Sequence, residues 1–577
     1  MVARRYAPFA IIVAAMLLLV IVAPSKAPAA VAGTQPFDSS VGGGFQGATA
    51  APDVSPGATA AAGGAQASSA PAGAAAGAPG SGGATARGGG PAGGQAGGAP
   101  LSLAAAPPGD TSHCVNGRQF GDLVTAPPCT PKFGGNNGGA TYQGVTDKTI
   151  VVDYYRESDS PAVQAIEKPQ GIYSDPTLQK DFLAAAQTFV NSRYELYGRK
   201  VQFNFYQGAC NASPPNPSCY RTDVDTMNSR DHPFAVIYDD NSNAPDFFDE
   251  LSRLGVVNLG GWHFNDAFDQ QLRPYHYDVF TTGDYQAEIT GEWWCKRLAG
   301  KPAKFAGDAA LQGKTRMVGI IAQNASVNVS SAEHLKAIIN QCAPNSAEVK
   351  TYSSDTATAT SQSTSLVTQF KNDGVTSVLF FCDPIAPVYL TKQESNQNWF
   401  PEQVLAGSGL LDYDPLAQLY DQSEWKHAFG PSDSPNAEPI SKQDPAIVWR
   451  AAGQSGDPYC CANLMWGYLS VLASGLDVTG PNLNPTTFEH ALLVTLPPTP
   501  GTYDQTHDPY HQYAKYGPNP SALGAYGAVR DERDVYYDGT ATSPINGKAG
   551  AYIPLNGGRR YTMGQWPSSD EQYPAGV

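Results

Sequence analysis

Thr149-Ile150-Val151-Val152-Asp153-Tyr154-Tyr155, then Asp175-Pro176 followed by Leu178, Phe182, Ala185, Ala186 and Phe189, then Val201–Tyr206, is the stretch from which the fold is read. The first run is β-branched and aromatic and reads as a strand. Asp175 and Pro176 supply an N-cap and a first-turn proline. The apolar residues that follow recur at helical spacing, and Gly198 is a stop signal before the next strand. The pattern continues with strands at Phe234–Tyr238 and Val256–Leu259, separated by a helical stripe of Phe247, Phe248, Leu251 and Leu254. A second block begins after Tyr285. A helix through Trp293 leads to a strand at Met317–Ala322, and Ser330-Ser331-Ala332-Glu333 resembles a capping box opening the helix to Cys342. Further strands are expected at Val349–Tyr352, Val375–Phe381 and Gln403–Ala406, and helices around Asn463–Ser474 and Phe488–Val494 are expected to close this block. The tail is β in character at Asp534–Tyr537, Ala551–Leu555 and Arg560–Met563, with Gly557-Gly558 as a hairpin turn signal. Strand–helix alternation in two blocks predicts an α/β protein of two parallel-sheet domains.

Outward from this core the composition changes. In residues 41–100 of the 577, 49 of 60 positions are Ala, Gly, Pro or Ser, too little apolar surface to offset chain entropy, so the segment reads as a spacer. Ahead of it, Arg4 and Arg5 precede an apolar run from Phe9 to Ala23 and a small-residue exit at Ala27–Ala32, the pattern of a secretory signal cleaved after Ala29 or Ala32. An uncleaved anchor is the alternative, because about 16–18 apolar residues lie at the lower edge of a membrane span. The expected organisation is a signal peptide or anchor at 1–32, a disordered spacer with a Cys-containing end at 33–140, a first lobe at about 141–284 and a second at about 285–530. C-terminal strands at about 531–565 would cross between or complete the lobes. The formal net charge is −16, which argues against a nucleic-acid partner or a polybasic membrane surface.

Nine cysteines suit an exported, oxidised protein. Cys114 and Cys129 flank a Gly/Pro-rich stretch, Cys210 and Cys219 flank a proline-rich loop, and Cys295 and Cys342 lie on core-facing helix stripes, so each pair is a disulfide candidate. Cys382 would pair with Cys460 or Cys461, leaving one thiol; buried free thiols are the alternative for several of these. No C-x-x-C pair and no histidine at ligand spacing supports a metal site.

In open parallel sheets, ligands bind beyond the carboxyl ends of strands. That rule selects Asp239, Asp240, Asn241, Ser242 and Asn243; Gly260, Gly261, Trp262 and His263; Gln323, Asn324, Ala325 and Ser326; Asp383 and Pro384; and Gly407, Ser408 and Gly409. Asx and Ser residues after strands also serve as turn formers. Trp262 stands out because an aromatic after Gly-Gly has little local purpose in a turn. Asp239, Asp240 and Asp383 could hold an ammonium group.

Gly144-Val145-Thr146-Asp147 before the first strand, Asn191 leading through Gly198-Arg199-Lys200-Val201, and Thr281-Thr282-Gly283-Asp284-Tyr285-Gln286-Ala287 resemble stretches of type 1 periplasmic solute-binding proteins of the leucine/isoleucine/valine-binding branch, over about residues 141–577. The resemblance implies a two-lobed, hinge-closing receptor with no cofactor that delivers a small polar solute, amino-acid-like or an amide, to an ABC transporter permease. Its matching ligand positions are Asn241 and Ser242, Gly260 and Trp262, Tyr285 at the lobe crossing, and Asp383 in the second lobe. Asp239 and Asn324 complete the candidate set. Asp239-Asp240-Asn241 departs from the small hydroxyl-rich run of that branch, and two acids there would repel a carboxylate. A sensor or adaptor using the same closure is the alternative. A secreted hydrolase centred on His507 and His511 is a weaker one, since Pro509 between them opposes the interior-helix geometry that metal binding at that spacing needs.

Overall fold

The computed structural model describes residues 109–211, 213–239, 244–407, 409–500, 503–505, 508–518, 523–568 and 573. The expected signal segment, the spacer up to residue 108, and Asp240, Asn241, Ser242, Asn243, Ser408 and His507 lie outside the described residues.

The first sheet contains β1 (Thr149–Arg156), β2 (Lys200–Gln207), β3 (Ala235–Tyr238), β4 (Val257–Gly260) and β5 (His276–Tyr277), all parallel, in the order β2-β1-β3-β4-β5. Side chains alternate across it as the two-residue period of a strand requires. Val152, Tyr154, Ala235 and Ile237 face one core, and Tyr155, Val236 and Tyr238 face the other. The helix Pro176–Arg193 begins where the sequence indicates, with the Asp175 carboxylate accepting from the Thr177 amide. It ends at Arg193, before the Gly198 stop signal.

The second sheet contains β6 (Val318–Gln323), β7 (Ala347–Tyr352), β8 (Ser377–Phe381), β9 (Glu402–Leu405), β10 (Ala428–Ser432), β11 (Asp531–Thr542) and β12 (Ala549–Pro554), in the order β12-β11-β10-β9-β8-β6-β7, with β13 (Arg560–Thr562) also on β11. β7, β6, β8, β9 and β10 are parallel, and the C-terminal strands add antiparallel pairs at the β10 edge. The C-terminal strands therefore complete the second lobe. Gly557-Gly558 does not close a β12–β13 hairpin. β12 pairs with Val535–Asp538 and β13 with Asp531–Arg533, so the turn returns the chain to another part of the same partner strand.

The structure corrects three further expectations. The helix Ala462–Thr479 does not close the second block. Its Met465, Leu469, Leu472 and Leu476 enter the core of the first sheet, and Trp466 meets Phe189 edge-on at 5.6 Å between ring centroids. The apolar stripe is legible in sequence, but the lobe it faces is decided by a chain crossing at 433–443. The Cys-containing end of the expected spacer is packed rather than loose. Phe120, Leu123 and Ala126 are buried against the first-lobe helices, and Thr130 donates to the Asp477 carboxylate at 2.8 Å. Ser330-Ser331-Ala332-Glu333 does not open its helix, which runs Ser326–Cys342. Buried Ser331 instead donates to Asp284 of the neighbouring helix Gly283–Arg297, at 2.8 Å.

Disulfides join Cys114–Cys129, Cys210–Cys219 and Cys295–Cys342, each with Cα atoms 5.7 Å apart. Cys382 is not paired with Cys460 or Cys461. It stands just after β8 in the second lobe, whereas the other two precede the Ala462 helix of the first, so that bond would have to span the lobes. No helix among the described residues is long and apolar enough to cross a membrane.

The chain passes between the lobes at 278–282, 433–443 and 529–530. Backbone hydrogen bonds tie the first crossing to the residues that lead into the third, from Asp278 N to Tyr526 O at 2.9 Å and from Ala528 N to Phe280 O at 2.7 Å. The fully buried Arg560 guanidinium ties the second and third, donating to the carbonyls of Asp433 at 2.6 Å, Ser434 at 2.9 Å and Asp531 at 3.0 Å.

Candidate functional site

A cavity of about 580 Å³ lies where the carboxyl ends of the two sheets face each other. Strand ends and helix starts leave backbone polar groups available there, which is why open parallel sheets place ligands at this position. The first lobe contributes Glu157, Ser158 and Asp159 after β1, Asp239 after β3 and Trp262 after β4. The second contributes Gln323 at the end of β6, Tyr352 and Ser353 at the end of β7, Asp383 after β8 and Asp412 beyond β9. The helix Ala462–Thr479 turns Asn463, Gly467, Ser470 and Ser474 into the cavity. These recur at i, i+4, i+7 and i+11, one face of a helix whose opposite face is core.

Of the candidate residues, the structure brings Asp239, Trp262 and Asp383 into this wall. Trp262 is 7% exposed, packs on Phe280 at 4.9 Å between centroids, and its indole Nε1 makes no hydrogen bond of normal length. Its loop is fixed from behind. The carboxylate of Asp278 accepts from the amides of His263 at 2.9 Å and Phe280 at 2.8 Å, and His263 Nδ1 lies 2.7 Å from the Thr281 carbonyl. Burial pushes the His263 imidazole down to about 4 and the Asp278 carboxyl well up. The imidazole is therefore neutral at pH 7. Asp383 accepts from Gln323 Nε2 at 2.7 Å, from the Tyr352 hydroxyl, and from the amides of Ile385 at 2.8 Å and Ala386 at 3.1 Å. Its carboxylate therefore orients two other wall residues and caps a helix.

Three candidates lie elsewhere. Gly260 ends β4 with φ +154°, and an added Cβ would stand 2.3 Å from the Tyr238 carbonyl, so the glycine serves the packing beneath the cleft. Tyr285 is 3% exposed, donates to the Arg530 carbonyl at 2.8 Å, and lies under the Arg530 guanidinium at 5.1 Å. It fastens the crossings to each other and does not line the cavity. Asn324 is exposed and does not line it either, whereas neighbouring Gln323 does. Asn241 and Ser242 are outside the described residues. His511 is in a bend, with Nδ1 3.0 Å from Asp508 Oδ2, and not on a helix.

The sequence reading passed over Arg156-Glu157-Ser158-Asp159-Ser160, a polar run at a strand end that meets the criterion applied to the other loops. Arg156 is paired with Asp159, and the Glu157 carboxylate accepts from Tyr238 at 2.6 Å and Tyr220 at 3.1 Å. It also missed Ser213, in the loop closed by Cys210–Cys219. That hydroxyl meets Thr356 Oγ1 at 2.9 Å and the Ser354 carbonyl at 3.2 Å, joining the lobes at the edge of the cleft. Among the described residues, Cys210, Cys219 and Asp223 form one group at metal-ligand spacing, but its two sulfurs are bonded to each other and Asp223 accepts from Tyr155 at 2.8 Å.

No family model and no curated protein matches the sequence. Solved structures do match in backbone, and those compared are ABC transporter substrate-binding proteins. One from Aeropyrum pernix is 13% identical, over 72% of this chain and 96% of its own, with a TM-score of 0.46. A branched-chain amino acid transporter substrate-binding protein from Streptococcus pneumoniae, in complex with isoleucine, is 13% identical over 70% and 100%, with a TM-score of 0.45. A fatty acid ABC transporter substrate-binding protein from Thermomonospora curvata is 15% identical over 75% and 97%, with a TM-score of 0.46. The two parallel-sheet lobes, the three crossings and the cleft between them make this chain a two-lobed α/β fold.

Proposed function

We propose that this protein is an extracytoplasmic receptor that captures a small polar solute by closing its lobes and delivers it to an ABC transporter permease. The observation that carries the reading is the cavity between the carboxyl ends of two sheets, bounded by three crossing segments that can act as a hinge. Trp262, Phe280, Leu464 and Val471 offer an apolar wall for the body of a solute. Nine carboxylate residues line the cavity against three Lys or Arg, a balance whose field favours cations and repels anions. The solute therefore carries an ammonium or amide group as its polar end and no uncompensated carboxylate.

The test is a thermal-shift panel of amines, polyamines, amino-acid amides, short peptides, free amino acids, aromatic acids and fatty acids, followed by calorimetry and small-angle scattering. An amine- or amide-bearing member should raise the melting temperature and contract the particle. Preference for a fatty acid would overturn the charge argument, and no response across the panel would overturn the receptor reading. Copurification of the loaded protein with a permease separates delivery from sensing.

A further inference from the structure

The three unbridged thiols are not equivalent. Cys382 follows β8 by itself, whereas Cys460 and Cys461 are consecutive, both half-buried, with Sγ atoms 2.9 Å apart. They stand at the turn that opens the helix Ala462–Thr479. Cys461 also lines the cleft, and its thiol donates to the Ile172 carbonyl at 3.3 Å. The contact with the Cys461 sulfur holds the Cys460 thiol below its ordinary value, and the thiolate is the attacking species in thiol–disulfide exchange.

We propose that Cys460 and Cys461 are a redox-active vicinal pair in the cleft wall, closed to an eight-membered disulfide ring by a low-molecular-weight disulfide. The Cys460 thiolate attacks one sulfur of the oxidant, forming a mixed disulfide and expelling the other sulfur as a thiolate. Cys461 then loses its proton and attacks the Cys460 sulfur, expelling the second. Two electrons pass from the protein thiols to the oxidant, which leaves as two thiols carrying the two protons. Consecutive Cα atoms are about 3.8 Å apart, below the range of about 4.4–6.8 Å in which disulfides close without strain. The ring is therefore more easily reduced than the other three bridges. Closing it also removes the thiol that donates to Ile172, so the cleft wall changes with redox state.

The test uses the full chain, treated with oxidised glutathione, alkylated in denaturant with iodoacetamide and digested for mass spectrometry. Cys382 should be labelled, while the peptide holding Cys460 and Cys461 should be unlabelled and two hydrogens lighter than its dithiol. Stepwise dithiothreitol should release this pair before Cys114–Cys129, Cys210–Cys219 and Cys295–Cys342. In the variant Cys460→Ser, Cys461 should be labelled or carry one glutathione, with the three other bridges intact. Labelling of both cysteines after glutathione treatment overturns the proposal. So does release only together with the other bridges, or a Cys461 in the variant that is linked to another cysteine of the protein.

Discussion

Truncating Phe120 to alanine tests whether the segment before the first strand belongs to the folded lobe. The ring is 4% exposed and meets Phe189 at 5.5 Å and Tyr194 at 5.0 Å between centroids, both edge-on. Burial of a phenylalanine ring removes about 150–250 Å² from water. At about 25 cal/mol per Å² this gives about 4–6 kcal/mol for the whole side chain. The alanine keeps part of that area, and measured Phe→Ala costs in cores are about 3–5 kcal/mol. The working figure is therefore about 4 kcal/mol on the unfolding of the first lobe. A lobe of this size shifts by about 2–4 °C per kcal/mol, so its melting transition should fall by about 8–16 °C. Calorimetry and urea unfolding measure it, with Val124→Ala, at a position 48% exposed, as the control near zero. The segment is also stapled by Cys114–Cys129, 15 residues apart, a loop whose opening costs about 3 kcal/mol in the chain-entropy account. Cys114→Ser should lower the same transition. A loss below about 1 kcal/mol for Phe120→Ala, the usual scale of surface substitutions, would mean that the segment is a tether resting on the lobe, and the packing argument would fail.

Once a solute is identified, Trp262→Ala should weaken it by about 2 kcal/mol, a thirtyfold rise in Kd by calorimetry, because a large buried aromatic face excludes water from neighbouring polar contacts; unchanged affinity with an intact fold refutes its placement. Ser213→Ala removes the hydroxyl that joins the lobes at Thr356 and Ser354, and should speed solute release about 2- to 10-fold in stopped flow, the scale of one hydrogen bond, with little change in melting temperature. Burial pushes the Asp477 carboxyl up to about 8 from 3.8, with Thr130 and the Glu195 amide as its partners. The native state then binds a proton that the unfolded chain releases, so this contribution to stability is complete below about pH 4 and is lost as pH rises toward 8. Asp477→Asn should flatten urea-derived stability over that window, and an identical pH slope would show that the group titrates normally.

Sequence order alone settles what local patterning settles. The run Thr149–Tyr155, the Asp175-Pro176 helix start and the alternation across β3 are legible because side-chain period and capping act within a few residues. Cys210–Cys219 is legible because its two ends flank one short loop, and Cys295–Cys342 because each cysteine lies on a core-facing helix stripe. Trp262, Asp239 and Asp383 are found by the strand-end rule, which needs only the strands. Tertiary structure decides what depends on which lobe a segment meets. The Ala462 helix has the same apolar stripe whichever sheet it covers, and only the crossing at 433–443 assigns it to the first. Phe120 sits beyond a spacer-like composition and is held by helices more than 60 residues further along the chain. Tyr285 has the look of a ligand-facing aromatic until the third crossing places Arg530 against it. Ser213 and Thr356 meet across 143 residues of chain. Each such contact joins surfaces whose separate patterns are satisfied by many partners, and the partner is chosen only when the crossings bring the lobes together.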